Sequence, residues 1–185
     1  MQERVAAAGP KPSADLAALA AEPLVLASVL AVLGIGLLLG AFAFEYLGGI
    51  KPCPLCLGQR LPWTLTTVVA GLAMLGLRRD APPALAPTAF AVAAAIAVWS
   101  LYLAGFHAGV EWKWWPGPPS CSGTGISPGN FTANFDPAQI VRCDEIAWSL
   151  FGLSLAGYNF IFSAVALAAA GAGAVSTTRR RAEPS

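Results

Sequence analysis

The sequence predicts an all-α membrane protein, a bundle of four transmembrane helices joined by a short first and a long second outer loop. Three observations carry this. Only 11% of the 185 residues are charged and 56% are hydrophobic, against roughly 25% charged in soluble domains. The charges are not dispersed but gather between long apolar stretches. Four of those stretches approach the roughly 20 apolar residues that a membrane-spanning helix needs.

The first apolar run extends from Leu24 to Phe44 without a charge, and the second from Leu61 to Leu77. The third runs from Leu85 to Phe106, and the fourth lies within the uncharged stretch between Glu145 and Arg179. The expected organisation is a cytoplasmic tail over residues 1–23, a four-helix domain over 24–176 with spans at about 24–46, 60–77, 85–107 and 150–175, and a second tail over 177–185. The residues before the first run are too many, and the run too long, for a cleaved signal peptide. Basic residues set the orientation. Arg4 and Lys11, Arg78 and Arg79, and Arg179 to Arg181 share one side, which should be the cytoplasm. Lys51, Arg60, Lys113 and Arg142 lie on the other, so the bias is moderate. Gly34, Gly36, Gly40, Gly71, Gly76, Gly171 and Gly173 fall in the runs, as expected where helix backbones pack closely. A net charge of +1 with no dense basic patch argues against a nucleic-acid partner.

All four cysteines fall in the outer loops. Cys53 and Cys56 lie in the first, Cys121 and Cys143 in the second. In a bacterial cell this side is the oxidising periplasm, where disulfides persist. Cys53-Pro54-Leu55-Cys56 closes a very small ring, which removes little unfolded-state entropy and suits redox cycling better than stapling. It precedes the second run, where a helix N-terminus favours a thiolate. Arg60, one turn beyond Cys56, could stabilise that thiolate or a bound anionic group. Pro62 implies a helix that begins near it, or one that begins at Cys56 and kinks there.

Other readings of the cysteines compete. A structural zinc site needs four ligands, and the 22-residue separation of Cys121 from Cys143 supplies no second short pair. Haem attachment would require His where Leu57 stands. A purely structural disulfide framework in a non-enzymatic tetraspan accounts for Cys121 with Cys143 but poorly for the tight ring.

In the long loop, Glu111 to Trp115 has the composition of a membrane–water boundary, and Pro116 to Gly123 that of an extended, mobile stretch. Pro137 to Leu150 spaces its apolar residues as a short interfacial helix would, with Cys143 on it. His107, the single histidine, falls at the outer end of the third run. It is read either as a boundary residue or as a group that hydrogen-bonds a quinone oxygen or relays a proton. Glu45 and Glu111 are expected at the boundary without a catalytic part.

Lys51 to Arg60 (KPCPLCLGQR), and Arg142 to Trp148 with Phe151 to Ser154 behind it, resemble the two cysteine regions of the DsbB family of disulfide-bond formation proteins. The resemblance covers nearly the whole chain apart from the N-terminal tail. It implies a thiol:quinone oxidoreductase of the bacterial inner membrane with both termini cytoplasmic. Cys53 and Cys56 would be the quinone-coupled pair, Cys56 the thiolate facing the quinone, and Arg60 the quinone-site arginine. Cys121 would be the sulfur attacked by a DsbA-like thioredoxin-fold partner. Cys143 would be its mate, able to form a transient disulfide with Cys53, and His107 lies near a family histidine. The implied acceptor is ubiquinone or menaquinone, with no metal, haem or flavin. A DsbA-type oxidant at about −120 mV demands a stronger final acceptor, and a quinone fits. A monomeric bundle is the simplest expectation. The nearest rival is a vitamin K epoxide reductase-like enzyme, in which the Cys-x-x-Cys comes late in the bundle. A DsbB relative dedicated to one partner is a further alternative.

Overall fold

A computed structural model describes residues 21–122 and 141–182. Helix α1 (Pro23–Phe42) opens on a proline in its first turn, where a missing N–H costs nothing. It then loosens into a π-helical turn, Ala43–Leu47, and ends at Gly48 and Gly49, the latter with φ +66°. A five-residue helix, α2 (Pro54–Gly58), precedes α3 (Arg60–Gly76). The interruption has a local cause: Pro62 has no N–H to donate to the Gly58 carbonyl, so the helix restarts at Arg60. The chain therefore starts a helix before Cys56 and breaks it at Gln59.

Helix α4 (Leu85–Glu111) is one turn longer than expected, which places His107 and Glu111 inside the helix. After it, Ser149–Leu150 (β1) and Leu153–Ser154 (β2) form an antiparallel hairpin with Leu150 opposite Leu153. Its two turn residues, Phe151 and Gly152, have φ of 50° and 79°, the combination that a two-residue type I′ turn requires. Helix α5 (Leu155–Ala182) follows. Ser154 Oγ accepts the Gly157 N–H at 3.1 Å and so caps it. The hairpin displaces the start of this helix from 150 to 155. Its far end runs on through Arg179–Arg181, which complement the helix dipole, so residues 177–182 are helical.

The expected interfacial helix is not formed over Val141–Leu150; its first residues, 137–140, lie outside the described residues, as do residues 1–20 of the N-terminal tail. The apolar side chains of this stretch do not share a face. Val141 packs against the cysteines, Trp148 packs between Phe44 and Tyr158, and Ile146 and Leu150 are exposed.

The four long helices form a ring, α1 against α3 and α5, α4 against α3 and α5. The interior is built largely of alanine, with Ala27, Ala70, Ala73, Ala93, Ala97, Ala166 and Ala170 around Leu30, Trp63 and Phe90. Small residues bring backbones close where lipid removes the usual hydrophobic drive between helices. Any Cβ at Gly34 would strike Thr67, and one at Gly173 would strike the Phe90 ring, whereas Gly36, Gly40, Gly71 and Gly171 have open space. Close packing therefore accounts for only some of these glycines. Ser100 and Ser163 bond across α4 and α5 at 2.8 Å, and Arg180 reaches Glu22 at 2.7 Å.

Large apolar side chains point outward, Val32, Leu39, Val68 and Tyr102 each more than half exposed. The α1 segment with its π turn, α4 and α5 are long and apolar enough to cross a membrane. At 17 residues, α3 spans about 26 Å, somewhat less than the bilayer core of about 30 Å.

Candidate redox site

Cys53 occupies the N-cap of α2 with extended backbone, and its Sγ accepts the Cys56 N–H at 3.1 Å. Such geometry makes the two sulfurs of the short ring unequal, because Cys53 caps the helix and Cys56 lies within it. Both are free thiols, whereas Cys121 and Cys143 are disulfide-bonded. Hydrogen bonding from the Cys56 thiol, reinforced by His107 against the cost of burial, pulls Cys53 from the ordinary 9.0 down to about 5. Cys56 moves the opposite way. The Cys53 hydrogen bond holds its proton, and burial and the Cys53 charge push it further up. Cys53 is thus held below the ordinary thiol and Cys56 above it, whereas the family resemblance implies Cys56 as the thiolate facing the quinone.

Two environments meet at Cys53. On one side it joins Val110, Cys121 and Cys143 in a single buried cluster. On the other it lines a cavity of about 310 Å³ that also borders Cys56, Arg60 and His107. Four of the six expected site residues therefore share one cavity wall, and the remaining two lie behind Cys53.

Arg60 is held from two directions. Its Nη2 donates to Glu45 Oε2 at 2.6 Å, and its guanidinium carbon sits 4.9 Å from the Phe42 ring centroid. Its Nε is buried without a partner. The π turn is what presents Glu45, an instance of helix irregularity at a functional position. His107, 4% exposed, places Nε2 3.7 Å from Cys53 Sγ and 3.8 Å from Glu111 Oε1. Glu111 accepts in turn from Ser154 Oγ. Gln59 reaches His107 Nδ1 at 2.9 Å, and beyond Gln59 lie Asn159 and Trp63. Cys53, Cys56 and His107 have their donor atoms within 4.8 Å of one another, so the groups that can exchange electrons are also those a soft cation would seek.

The second pair is buried, Cys121 at 2% and Cys143 at 0% exposure. Cys121 lies in a turn closed by its own N–H and that of Ser122 on the Pro118 carbonyl, and its carbonyl accepts the Cys143 N–H at 2.8 Å. The end of the proline-rich stretch is thus hydrogen-bonded rather than extended. Over the disulfide, Asp144 receives Lys113 at 2.6 Å and Arg142 at 2.8 Å. These donors, Lys113 foremost, lower the Asp144 carboxyl to about 2.

Several members of this site were not singled out from sequence. Glu111 stands one turn from His107, a spacing that could have flagged it. Asn159 is the one side-chain amide in the apolar run of α5, and a polar residue at such a place is itself a signal. Glu45 carries no such mark; only the fold brings it to Arg60, 15 residues away.

Residues 23–173 match the family model of the disulfide bond formation protein DsbB. The chain is 27% identical to a Disulfide bond formation protein B of Hahella chejuensis, over 68% of this chain and 78% of that one. It is also 27% identical to a protein of the same name from a Polaromonas species, over 78% of this chain and 83% of the relative. No solved structure matches the chain. With the family match spanning most of the chain, and redox cysteines set among apolar helices, the protein belongs to the DsbB family of disulfide-bond-forming membrane oxidoreductases.

Proposed function

We propose that this protein reoxidises a DsbA-like thioredoxin-fold partner in the periplasm and passes the electrons through its two cysteine pairs to a membrane quinone. The observation that carries the reading is the position of Cys53, which shares a buried cluster with the second cysteine pair and also lines the cavity. In this reading α3 is the fourth membrane span, the cysteine loops face the periplasm and both termini face the cytoplasm.

Electron flow follows ordinary disulfide exchange, in which a thiolate attacks and a thiolate leaves. The partner's thiolate attacks Cys121 Sγ and displaces Cys143. The partner's second thiolate then breaks the mixed disulfide, leaving the partner oxidised and Cys121 and Cys143 as thiols. Because Cys121 is buried, the Pro118–Ser122 turn must open for this encounter. Cys143 next attacks Cys53 of an oxidised first pair and displaces Cys56. Cys121 attacks Cys143, which restores the second disulfide and releases Cys53 reduced.

The cavity suits a quinone. Its wall is mostly apolar, from Leu37, Leu38 and Phe44 to Phe162, and the unpartnered Arg60 Nε is a donor for a carbonyl oxygen. When bound, a quinone supplies a two-electron, two-proton acceptor. Glu45 and Phe42 hold the arginine in place. Cys56 keeps its proton while Cys53 is a thiolate, and becomes the better nucleophile once Cys53 is tied to Cys143. His107 holds a proton between Cys53 and Glu111.

The test is quinone reduction by purified protein mixed with a reduced thioredoxin-fold partner and a soluble quinone, followed by quinone absorbance. Native protein should reduce the quinone, and Cys56→Ser and Cys121→Ser should each abolish the reaction. Turnover that survives either substitution refutes the relay.

A further inference from the structure

The polar chain behind Cys53 has a direction, set at both ends by groups that cannot reverse. An indole N–H only donates, and Trp63 Nε1 lies 2.6 Å from Asn159 Oδ1. The Asn159 amide must therefore turn its nitrogen to Gln59, where Nδ2 donates to Oε1. A backbone carbonyl only accepts, and Gln59 Nε2 lies 3.0 Å from the Leu55 carbonyl. Both anchors demand the same Gln59 orientation, nitrogen toward His107. Nε2 is 2.9 Å from His107 Nδ1, so Nδ1 must accept. A neutral imidazole has one donor and one acceptor nitrogen, which leaves the proton on Nε2, the atom that faces Cys53 Sγ and Glu111.

We infer that Gln59, Asn159 and Trp63 are positioning residues that lock His107 as the Nε2–H tautomer aimed at the Cys53 sulfur. The role assigned to that N–H in turnover rests on the relay proposed above; the tautomer itself does not. In this form the ring donates to a thiolate while remaining neutral. The opposite tautomer would set a nitrogen lone pair against the sulfur's negative charge. The lock also accounts for three polar side chains on the cavity wall, since their polar ends are spent on one another. Arg60 Nε remains as the unpartnered buried donor of that wall among the described residues.

Because the chain contains one histidine, nitrogen-15 NMR of tag-free protein labelled only in histidine reads both ring nitrogens without assignment. In the native protein with a reduced first pair, the neutral ring should carry its proton on Nε2, with Nδ1 bare. Asn159→Asp places an acceptor-only carboxylate against Gln59 Oε1. The carboxylate repels Oε1 more strongly than the neutral Leu55 carbonyl does, so Gln59 turns its oxygen to Nδ1, gives up its bond to that carbonyl, and the proton moves to Nδ1. Gln59→Glu sets an acceptor-only carboxylate directly against Nδ1 and should move the proton the same way, whereas Trp63→Phe leaves the Leu55 carbonyl holding Gln59 and should keep the Nε2–H ring. The titratable groups around the sulfur are Cys56, His107 and Glu111. With these unchanged, Asn159→Asp should raise the alkylation midpoint of Cys53 by about one pH unit, as expected for one lost hydrogen bond to a thiolate. An intact Cys121–Cys143 disulfide and a native melting curve establish folding, and if Asn159→Asp does not fold, Gln59→Glu carries the test. A native ring protonated on Nδ1, or a folded Asn159→Asp or Gln59→Glu protein with the native tautomer, overturns the inference. Native protein that has the Nε2–H ring yet reduces no quinone overturns the relay and not the lock.

Discussion

The reduced first pair should ionise in two widely separated steps, the first at Cys53, and the second pair should not obscure them because it carries no thiol. Cys53 lies about four units below the ordinary thiol, from 9.0 to about 5. At neutral pH such a sulfur is about 99% thiolate, where an ordinary one is about 1%. The gain does not appear as speed. Nucleophilicity falls with basicity with a slope of about 0.4–0.5, so four units cost each thiolate roughly fiftyfold and nearly cancel the roughly hundredfold larger fraction. The midpoint of the pH profile is therefore the quantity to read, by iodoacetamide alkylation with each cysteine resolved by mass spectrometry. Cys53 should show a midpoint near 5, while Cys56 stays unreactive to well above 9. In Cys53→Ser the Cys53 charge and the hydrogen bond to its sulfur vanish, while burial and the Glu111 charge persist. Cys56 should then titrate far lower than in the native protein, though still above an ordinary thiol. The linked stability has a definite sign. A folded value below the ordinary one contributes stability that is complete above pH 9, declines below it and is gone once pH falls through 5. The form with a reduced first pair should lose Tm across that window relative to the form with Cys53–Cys56 oxidised. A low midpoint on Cys56 in place of Cys53 would refute the reasoning, because it would mean that the hydrogen bonds to Cys53 do not decide which sulfur carries the charge.

Two further substitutions probe other parts of the site. Arg60→Met removes the unpartnered Nε and the partner of Glu45; KM for a soluble quinone should rise about tenfold or more, the worth of a charge-assisted hydrogen bond, with Arg60→Lys intermediate, and an unchanged KM would exclude Arg60 from the quinone site. Phe151→Asn places a residue that tolerates left-handed backbone at the φ +50° position of the hairpin turn, where the phenylalanine side chain is 92% exposed. Relief of about 1 kcal/mol should raise Tm in detergent by about 2–4 °C, and a lower Tm would show that the ring makes a contact worth more than the turn costs.

What could be read from sequence follows from what each signal depends on. Long uncharged runs locate helices whatever their neighbours are, so the four apolar stretches and the Cys53–Cys56 ring were legible. Facing directions were not. Alanine, leucine and valine surround α1 and α4 on all sides, so no polar stripe marks which residue looks inward. Contacts that need facing directions were invisible for the same reason. Asn159 meets Gln59 across 100 positions and Trp63 across 96. The interfacial helix failed for a different reason. Its apolar spacing was compatible with a helix, but Gly152 permits the left-handed backbone of a tight turn despite the cost at Phe151, and the Cys121–Cys143 bond with the Arg142–Asp144–Lys113 ion pairs engages the preceding backbone and side chains.

Direction in this site comes from an asymmetry that four residues impose. In Cys53-Pro54-Leu55-Cys56, the proline in the first turn of α2 leaves Cys53 outside the helix as its cap, and the Cys56 N–H is one of the donors such a cap can take. One sulfur thus gains a donor that the other supplies. Cys53 is also the sulfur that shares a buried cluster with Cys121 and Cys143, which in the proposed relay sets the lowered thiol beside the pair it exchanges with. Cys56, one turn before Arg60, would keep its proton in that relay until Cys53 is engaged. A symmetric pair would expose both thiolates to the cavity at once. Here the cap is one difference between the two sulfurs, beside the larger one made by the hydrogen bond that the Cys56 thiol gives Cys53 and by the neighbouring His107.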